Sequence, residues 1–80
     1  MMKPERYGNL NGDSGVTYYA TGPDFIAVQF HDPIVYIYDN KRPGSAHVEK
    51  MKVLAVVGRG LSTYINRHVR EAFARKEGSW

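Results

Sequence analysis

Two tyrosines separated by a single residue are the side chains of this chain that best suit ligand binding. Tyr36 and Tyr38 lie in the run 34–38, where every residue is β-branched or aromatic. Such residues favour an extended strand, and side chains two apart in a strand point to the same face of the sheet. Aromatic rings on an open sheet face can stack against unpaired nucleic-acid bases. The pair therefore predicts either a stacking platform or part of the hydrophobic core.

The length of the loop before these tyrosines decides between the two outcomes, because a shift of one residue turns every side chain to the other face. A two-residue loop pairs Phe30 with Val35 and leaves both tyrosines exposed on the opposite face. A three-residue loop pairs Val28 with Tyr36, and the tyrosines then belong to the core. Both registers are compatible with the sequence.

Three arginines around the last predicted helix form a second candidate site. Arg59 precedes the helix, and Arg67 and Arg70 lie on its predicted outer face. Free N–H groups at the start of a helix attract anions, so a phosphate could bind there. The remaining residues that we assign to this site are Gly60, Ser62 and Thr63. The structural alternative is that the Gly-x-Gly segment only ends one helix before the next begins.

A basic turn beside Tyr38 is a secondary candidate. Lys41 and Arg42 follow that tyrosine and could extend a basic rim, although the sequence favours a solvated turn. Basic residues are also unevenly distributed along the chain. Residues 1–40 carry two basic and five acidic side chains, and residues 41–80 carry nine and three, which gives −3 and +6 within a net charge of +3. This asymmetry would steer a polyanion such as RNA toward the C-terminal half.

Several classes of chemistry find no support in the sequence. The chain contains no cysteine, which excludes disulfides, thiolate catalysis and cysteine-based metal sites. His31, His47 and His68 lack the spacing of a metal site, so we predict no bound metal and no cofactor. No nucleophile lies in a recognisable catalytic pattern, and the acidic residues occur singly. The sequence therefore predicts a protein that is not an enzyme.

Periodicity places the candidate residues on three strands and two helices. The predicted strands are 16–21, 25–30 and 34–38, each β-prone and separated from the next by a proline-containing break. A helix is predicted from Ser45 as the N-cap to Gly58, with an apolar stripe of Val48, Met51, Leu54 and Ala55. A second helix follows Gly60, with Ile65, Val69, Ala72 and Phe73 on its buried side. These elements predict an α+β fold in which a three-stranded antiparallel meander packs against two C-terminal helices.

A chain of 80 residues forms one small domain. We expect a flexible lead-in over residues 1–15, a folded domain over 16–76 and a frayed tail over 77–80. The N-terminus lacks the apolar stretch of a secretory signal, and no apolar run is long enough to cross a bilayer. These features predict a cytoplasmic protein that does not bind membranes.

Two short motifs resemble the KTSC domain, a small module found at the C-terminus of some lysyl-tRNA synthetases and in stand-alone bacterial and phage proteins. The family's hallmark Tyr-x-Tyr matches Tyr36-Ile37-Tyr38, and its helix pattern matches Asn66, Val69, Arg70 and Phe73. The resemblance covers about 15–75. The chain departs from the family pattern at Pro33, where the turn usually has glycine, and at 58–60, where the segment that precedes the helix is longer than usual. The resemblance implies a βββαα-type domain suspected of binding RNA, with no catalytic residues.

The sequence thus predicts a non-enzymatic binding module for RNA or another phosphate-bearing ligand, acting through the basic last helix and assisted by the tyrosines. Two alternatives remain open. The first is a protein-interaction or inhibitor module, including a phage accessory protein or a homodimer, that uses a strand edge or sheet face. The second is a sponge for small nucleotides.

Overall fold

The computed structural model describes residues 3–8, 15–30, 33–78 and 80, and the protein is α+β. Within these ranges, five antiparallel strands form one sheet whose spatial order follows the chain order. The strands are β1 (Glu5–Arg6), β2 (Tyr18–Thr21), β3 (Phe25–Gln29), β4 (Val35–Asp39) and β5 (Arg75–Glu77). Between β4 and β5 lie α1 (Ser45–Val57), α2 (Leu61–Tyr64) and a π-helix (Ile65–Val69) that continues α2.

The predicted number of strands is wrong, because two short edge strands extend the meander. β1 pairs with β2 in the segment expected to be a lead-in, and β5 pairs with β4 where a frayed tail was expected to begin. Neither Glu-Arg nor Arg-Lys-Glu is a β-prone sequence. Such short strands form because the outer strands of the meander offer unpaired N–H and C=O groups. Most of the predicted lead-in, residues 1–2 and 9–14, lies outside the described residues.

The main core lies between the sheet and the helices. Ile26, Val28 and Tyr38 project from the sheet and pack with Val48 and Met51 of α1, all at most 1% exposed. Tyr7, which follows β1, is also buried there, and its hydroxyl accepts a hydrogen bond from the Leu61 backbone N–H at 3.2 Å. The start of the domain is therefore tied to the start of α2.

A second, smaller core lies on the other side of the sheet, away from the helices. Its buried members are Ala20, Ala27, Val35 and Ile37. Phe25 and Trp80 pack against this cluster and are themselves partly exposed. Trp80 also donates a hydrogen bond from Nε1 to Oε1 of Gln29 at 3.0 Å. Trp80 thus covers part of this sheet face.

The helices follow the predicted stripes but differ at their ends. α1 ends at Gly58 in the left-handed conformation, as predicted, but its N-cap is Gly44 and no side chain caps it, so Ser45 is the first helical residue instead of the cap. The second helix is shorter than predicted, because the chain turns after Val69 and Ala74 donates a backbone hydrogen bond to Ile37 at 2.7 Å. None of the described helices has the length and apolarity needed to cross a membrane.

Substitution of Gly22 by alanine is expected to destabilise the fold. A Cβ atom at this position would lie 2.0 Å from Cε1 of Phe25, so the ring that covers the second core must move. We expect the free energy of unfolding to fall by about 1–3 kcal/mol, the usual cost of overpacking. Chemical denaturation measures this, with Gly78→Ala as the control because no atom lies within 4 Å of its added Cβ. Equal stability of the two variants would contradict the prediction.

Candidate functional site

An open groove of about 450 Å³ lies between the helix side of the sheet and the end of the π-helix. Strand residues contribute aromatic side chains to the groove, and the π-helix with the turn after it contributes polar ones. The segment before β5, together with β5 itself, forms the third side. The lining residues are Phe30, Tyr36, Tyr38, Ile65, Asn66, Arg70, Glu71, Phe73 and Lys76. Three of the side chains selected from the sequence, Tyr36, Tyr38 and Arg70, therefore meet in one place.

The β3–β4 register places both tyrosines on the helix side of the sheet. Val28 pairs with Tyr36, which is the register of the three-residue loop, although His31 and Asp32 of that loop lie outside the described residues. Tyr38 is 1% exposed and Tyr36 is half-buried. The exposed stacking platform of the other register is therefore not formed. Tyr38 belongs to the core, and Tyr36 forms a wall of the groove.

Phe73 completes the aromatic lining. Its ring centroid lies 5.2 Å from that of Tyr36 at an interplanar angle of 56°, and 6.4 Å from that of Tyr38 in an edge-on arrangement. Phe30 packs edge-on against Tyr36, with ring centroids 5.7 Å apart. Tilted and edge-on contacts are the preferred geometries of aromatic pairs and hold each ring in place. The groove therefore has a wall of fixed, partly accessible aromatic rings.

Two cationic side chains border the aromatic wall. The β4–β5 register pairs Tyr36 with Lys76, whose Nζ lies 5.8 Å from the centroid of the Phe73 ring. Arg70 follows the π-helix and is exposed. Within the described part of the chain neither cation forms a salt bridge, and those present join Lys52 to Glu49 and Arg75 to Glu77. Both groove cations are thus available to an anion.

The π-helix helps to shape the polar side of the groove. Ile65 and Val69 are buried by contact with the core, whereas Asn66 and Arg70 are exposed and line the groove. A π-helix has a wider turn than an α-helix, and such turns occur often at functional sites. Glu71 also lines the groove, so its carboxylate opposes part of the positive charge of the two cations.

The other predicted phosphate-site residues do not line this groove. Gly60 is the N-cap of α2 in the left-handed conformation, with no side-chain cap hydrogen bond. Arg59 and Arg67 are exposed, and so is Thr63, while Ser62 is half-buried. Of the three arginines that the sequence grouped together, Arg70 therefore lines the groove, and the other two do not. A phosphate site at the start of α2 stays a prediction.

The turn after β4 has a structural role. The backbone N–H groups of Lys41 and Arg42 both donate to Oδ1 of Asp39 at 2.9 Å, a side-chain bond typical of such turns. The side chains of both basic residues are exposed and lie outside the groove lining. A basic rim beside Tyr38 therefore does not form part of this groove and stays a prediction.

Two histidines that are far apart in the sequence meet on another part of the surface. Nδ1 of His47 lies 2.7 Å from the hydroxyl oxygen of Tyr64, and the His68 ring lies 4.6 Å from the ring of Tyr64 and 6.2 Å from that of His47. These contacts join α1 to the second helix. Among the described residues no group of three or more histidine or acidic side chains is arranged to hold a metal ion.

Sequence reasoning missed Lys76 as a site residue. It lies in Arg-Lys-Glu, which carries no strand signal, and its position beside Tyr36 depends on pairing across 40 residues of chain. Phe73 was assigned only to the buried side of a helix. The signal that could have selected it was the helix pattern of the family resemblance, because three of its members, Asn66, Arg70 and Phe73, line the groove.

No protein-family model matches this chain, and neither a curated protein nor a solved structure matches it. The resemblance to the KTSC domain therefore depends on the short motifs alone.

Proposed function

We propose that this protein is a non-enzymatic binding module that holds a nucleotide of single-stranded RNA in the groove. The observation that carries the proposal is the meeting of Arg70 and Lys76, which form no salt bridge among the described residues, with the aromatic wall of Tyr36 and Phe73. An RNA nucleotide combines an aromatic base with a phosphate, so it matches both parts of this lining. The KTSC resemblance, with its suspected RNA binding, favours the same class of ligand.

The size and openness of the groove suit one nucleotide unit of a longer strand. Ligand pockets commonly measure about 300–1,000 Å³, and this groove, at about 450 Å³, lies at the smaller end. Because the groove is open at the surface, the strand can enter and leave on either side of the bound base. Double-stranded RNA would not fit in this way, since its bases are already stacked within the helix.

Loss of the two groove cations is expected to weaken RNA binding. The double variant Arg70→Gln with Lys76→Gln should lower the affinity for an eight-nucleotide RNA about tenfold or more at low salt, because charge-assisted contacts to phosphate are lost. The dependence of log K on log salt concentration should also become shallower by about 1.4, at ~0.7 per phosphate contact for a single strand. Fluorescence anisotropy of end-labelled RNA measures both quantities.

A second double variant provides the matched control. Arg59→Gln with Arg67→Gln removes the same charge from exposed positions that do not line the groove. It should change the affinity much less, since only long-range attraction is lost. If both double variants lose the same affinity for RNA, overall charge and not the groove is responsible for RNA binding. No binding of the wild-type protein at low salt would overturn the proposed function.

An apolar patch on α1 favours a second candidate function, a protein-interaction module or homodimer. Val53, Val56 and Val57 are 57%, 76% and 47% exposed and lie within two turns of one helix. Exposed apolar clusters of this kind often contact another protein. Light scattering that gives twice the 9.1 kDa chain mass, with the mass unaffected by RNA, would support this candidate.

A third candidate, a sponge for free nucleotides, would use the same groove. It differs from RNA binding in the source of the nucleotide, and thermal denaturation separates the two. Stabilisation by mononucleotides without stabilisation by eight-nucleotide RNA would favour the sponge, because only a ligand that binds the folded state raises the melting temperature.

A further inference from the structure

The hydroxyl of Tyr38 is a polar group at a buried position that lines the groove. Tyr38 is 1% exposed, and none of the described residues forms a hydrogen bond with its hydroxyl. Tyr7 and Tyr64 differ in this respect, because their hydroxyls bond to the backbone of Leu61 and to His47. Among the described residues no buried side-chain nitrogen or oxygen lacks a partner, so a hydroxyl that bonds to none of them is reached from the groove and can bond to a bound molecule.

The protonation state of Tyr38 makes its hydroxyl a donor. Burial, and to a smaller extent the neighbouring hydroxyl of Tyr36, raises the pKa of Tyr38 far above the ordinary value for tyrosine. The group therefore keeps its proton at every pH at which the protein would be used, and it offers an O–H to the groove. A matching ligand needs a hydrogen-bond acceptor on the part that enters deepest.

The positions of the two cations determine how a nucleotide would be oriented in the groove. Arg70 and Lys76 are exposed side chains, whereas Tyr38 is the most deeply buried of the aromatic lining residues. A phosphate is strongly hydrated and stays near exposed cations, while a base is flat and largely apolar and can lie against the accessible parts of the Tyr36 and Phe73 rings. The edge of that base then approaches Tyr38. All four RNA bases carry ring nitrogens or carbonyl oxygens that accept hydrogen bonds at their edges.

We infer that the Tyr38 hydroxyl donates a hydrogen bond to an acceptor on the edge of the inserted base, so that the base enters first and its phosphate stays at Arg70 and Lys76. This inference rests on the proposed function and assigns Tyr38 a role in recognition of the base. This hydrogen bond requires a ligand that carries a base. A phosphate chain without bases would not use Tyr38.

The test removes only the Tyr38 hydroxyl. Tyr38→Phe should weaken binding of an eight-nucleotide oligouridylate about 3- to 10-fold, the effect of one neutral hydrogen bond. The loss should be the same at low and moderate salt, because no phosphate contact is removed. Binding of an abasic eight-mer with the same number of phosphates should not change. Thermal denaturation should show no loss of stability, since the hydroxyl has no partner among the described residues.

Tyr19→Phe is the matched control. Tyr19 is a buried tyrosine, 8% exposed, on the same side of the sheet, and its side chain does not line the groove. This variant should bind oligouridylate like the wild type. Binding of uridine monophosphate to the same variants shows whether the base can come from a free nucleotide or must belong to a strand.

Four results would overturn the inference. If Tyr38→Phe binds oligouridylate normally while the Arg70 and Lys76 double variant does not, the proposed function stands and the role of Tyr38 is wrong. If Tyr38→Phe weakens the abasic eight-mer equally, or is less stable than Tyr19→Phe, the hydroxyl maintains the shape of the groove instead of contacting a base. If the wild-type protein binds no oligouridylate at low salt, the proposed function and this inference fail together.

Discussion

Replacement of Trp80 by alanine is expected to lower the free energy of unfolding by about 2–3 kcal/mol. Loss of a fully buried tryptophan costs about 3–5 kcal/mol, and the partly exposed position of Trp80 reduces that value. The ring and Phe25 cover a core of four small and medium side chains on the sheet face away from the helices. A domain of this size has only about 5 kcal/mol of stability, so one substitution would remove about half of it.

Thermal and chemical denaturation measure this effect. The melting temperature should fall by roughly 10–20 °C, given about 4–8 °C per kcal/mol for a chain of this length. Trp80→Phe separates the two contributions of the side chain, because it keeps an aromatic ring but removes the hydrogen bond to Gln29, worth about 0.5–1.5 kcal/mol. Tyr18→Ala is the control for loss of an exposed aromatic residue, at 40% exposure. A Trp80→Ala variant as stable as Tyr18→Ala would show that the second core does not depend on this cover.

Replacement of Phe73 by leucine is expected to weaken RNA binding about 5- to 150-fold. Stacking of a base on an aromatic side chain contributes about 1–3 kcal/mol, and leucine offers no π-face. The Phe73 ring is held against Tyr36 and Tyr38 and lies within reach of Lys76, so it is central to the groove. Leucine is similar enough in volume to keep most of the packing, which limits the loss of stability to less than about 1.5 kcal/mol.

Phe25→Leu is the matched control for this variant. Phe25 is also partly buried, but it packs on the opposite side of the sheet, against the second core. Fluorescence anisotropy with the eight-nucleotide RNA should therefore show a loss only for Phe73→Leu, while circular dichroism verifies that both variants are folded. Similar affinities for the two variants would mean that bases do not stack in the groove, and the proposed function would lose its aromatic component.

The order of the main elements could be predicted from the sequence because it depends on local properties. Strands β2 to β4 are rich in β-branched and aromatic residues, and glycine or proline lies in the segments that separate them. The apolar stripe of α1 and its end at Gly58 also follow from spacing and from the left-handed conformation that glycine accepts. The charge difference between the two halves of the chain is likewise a property of composition.

The site could be predicted only in part. Tyr36, Tyr38 and Arg70 were selected for their chemistry, but the sequence left the face of the tyrosines open, because one residue of loop length decides it. The arginines near the start of α2 were grouped by their proximity in sequence, which says little about a shared surface. Only Arg70 borders the groove.

By itself, the sequence determined the α+β class, the three central strands, the two helical segments and the basic character of the C-terminal half. The tertiary structure alone decided the strand register, the two edge strands and the position of Lys76 beside Tyr36. The physical reason is that propensity and periodicity act over a few neighbouring residues. Very short strands and grooves arise from pairing between distant segments, where the backbone groups and side chains of the partner determine the conformation.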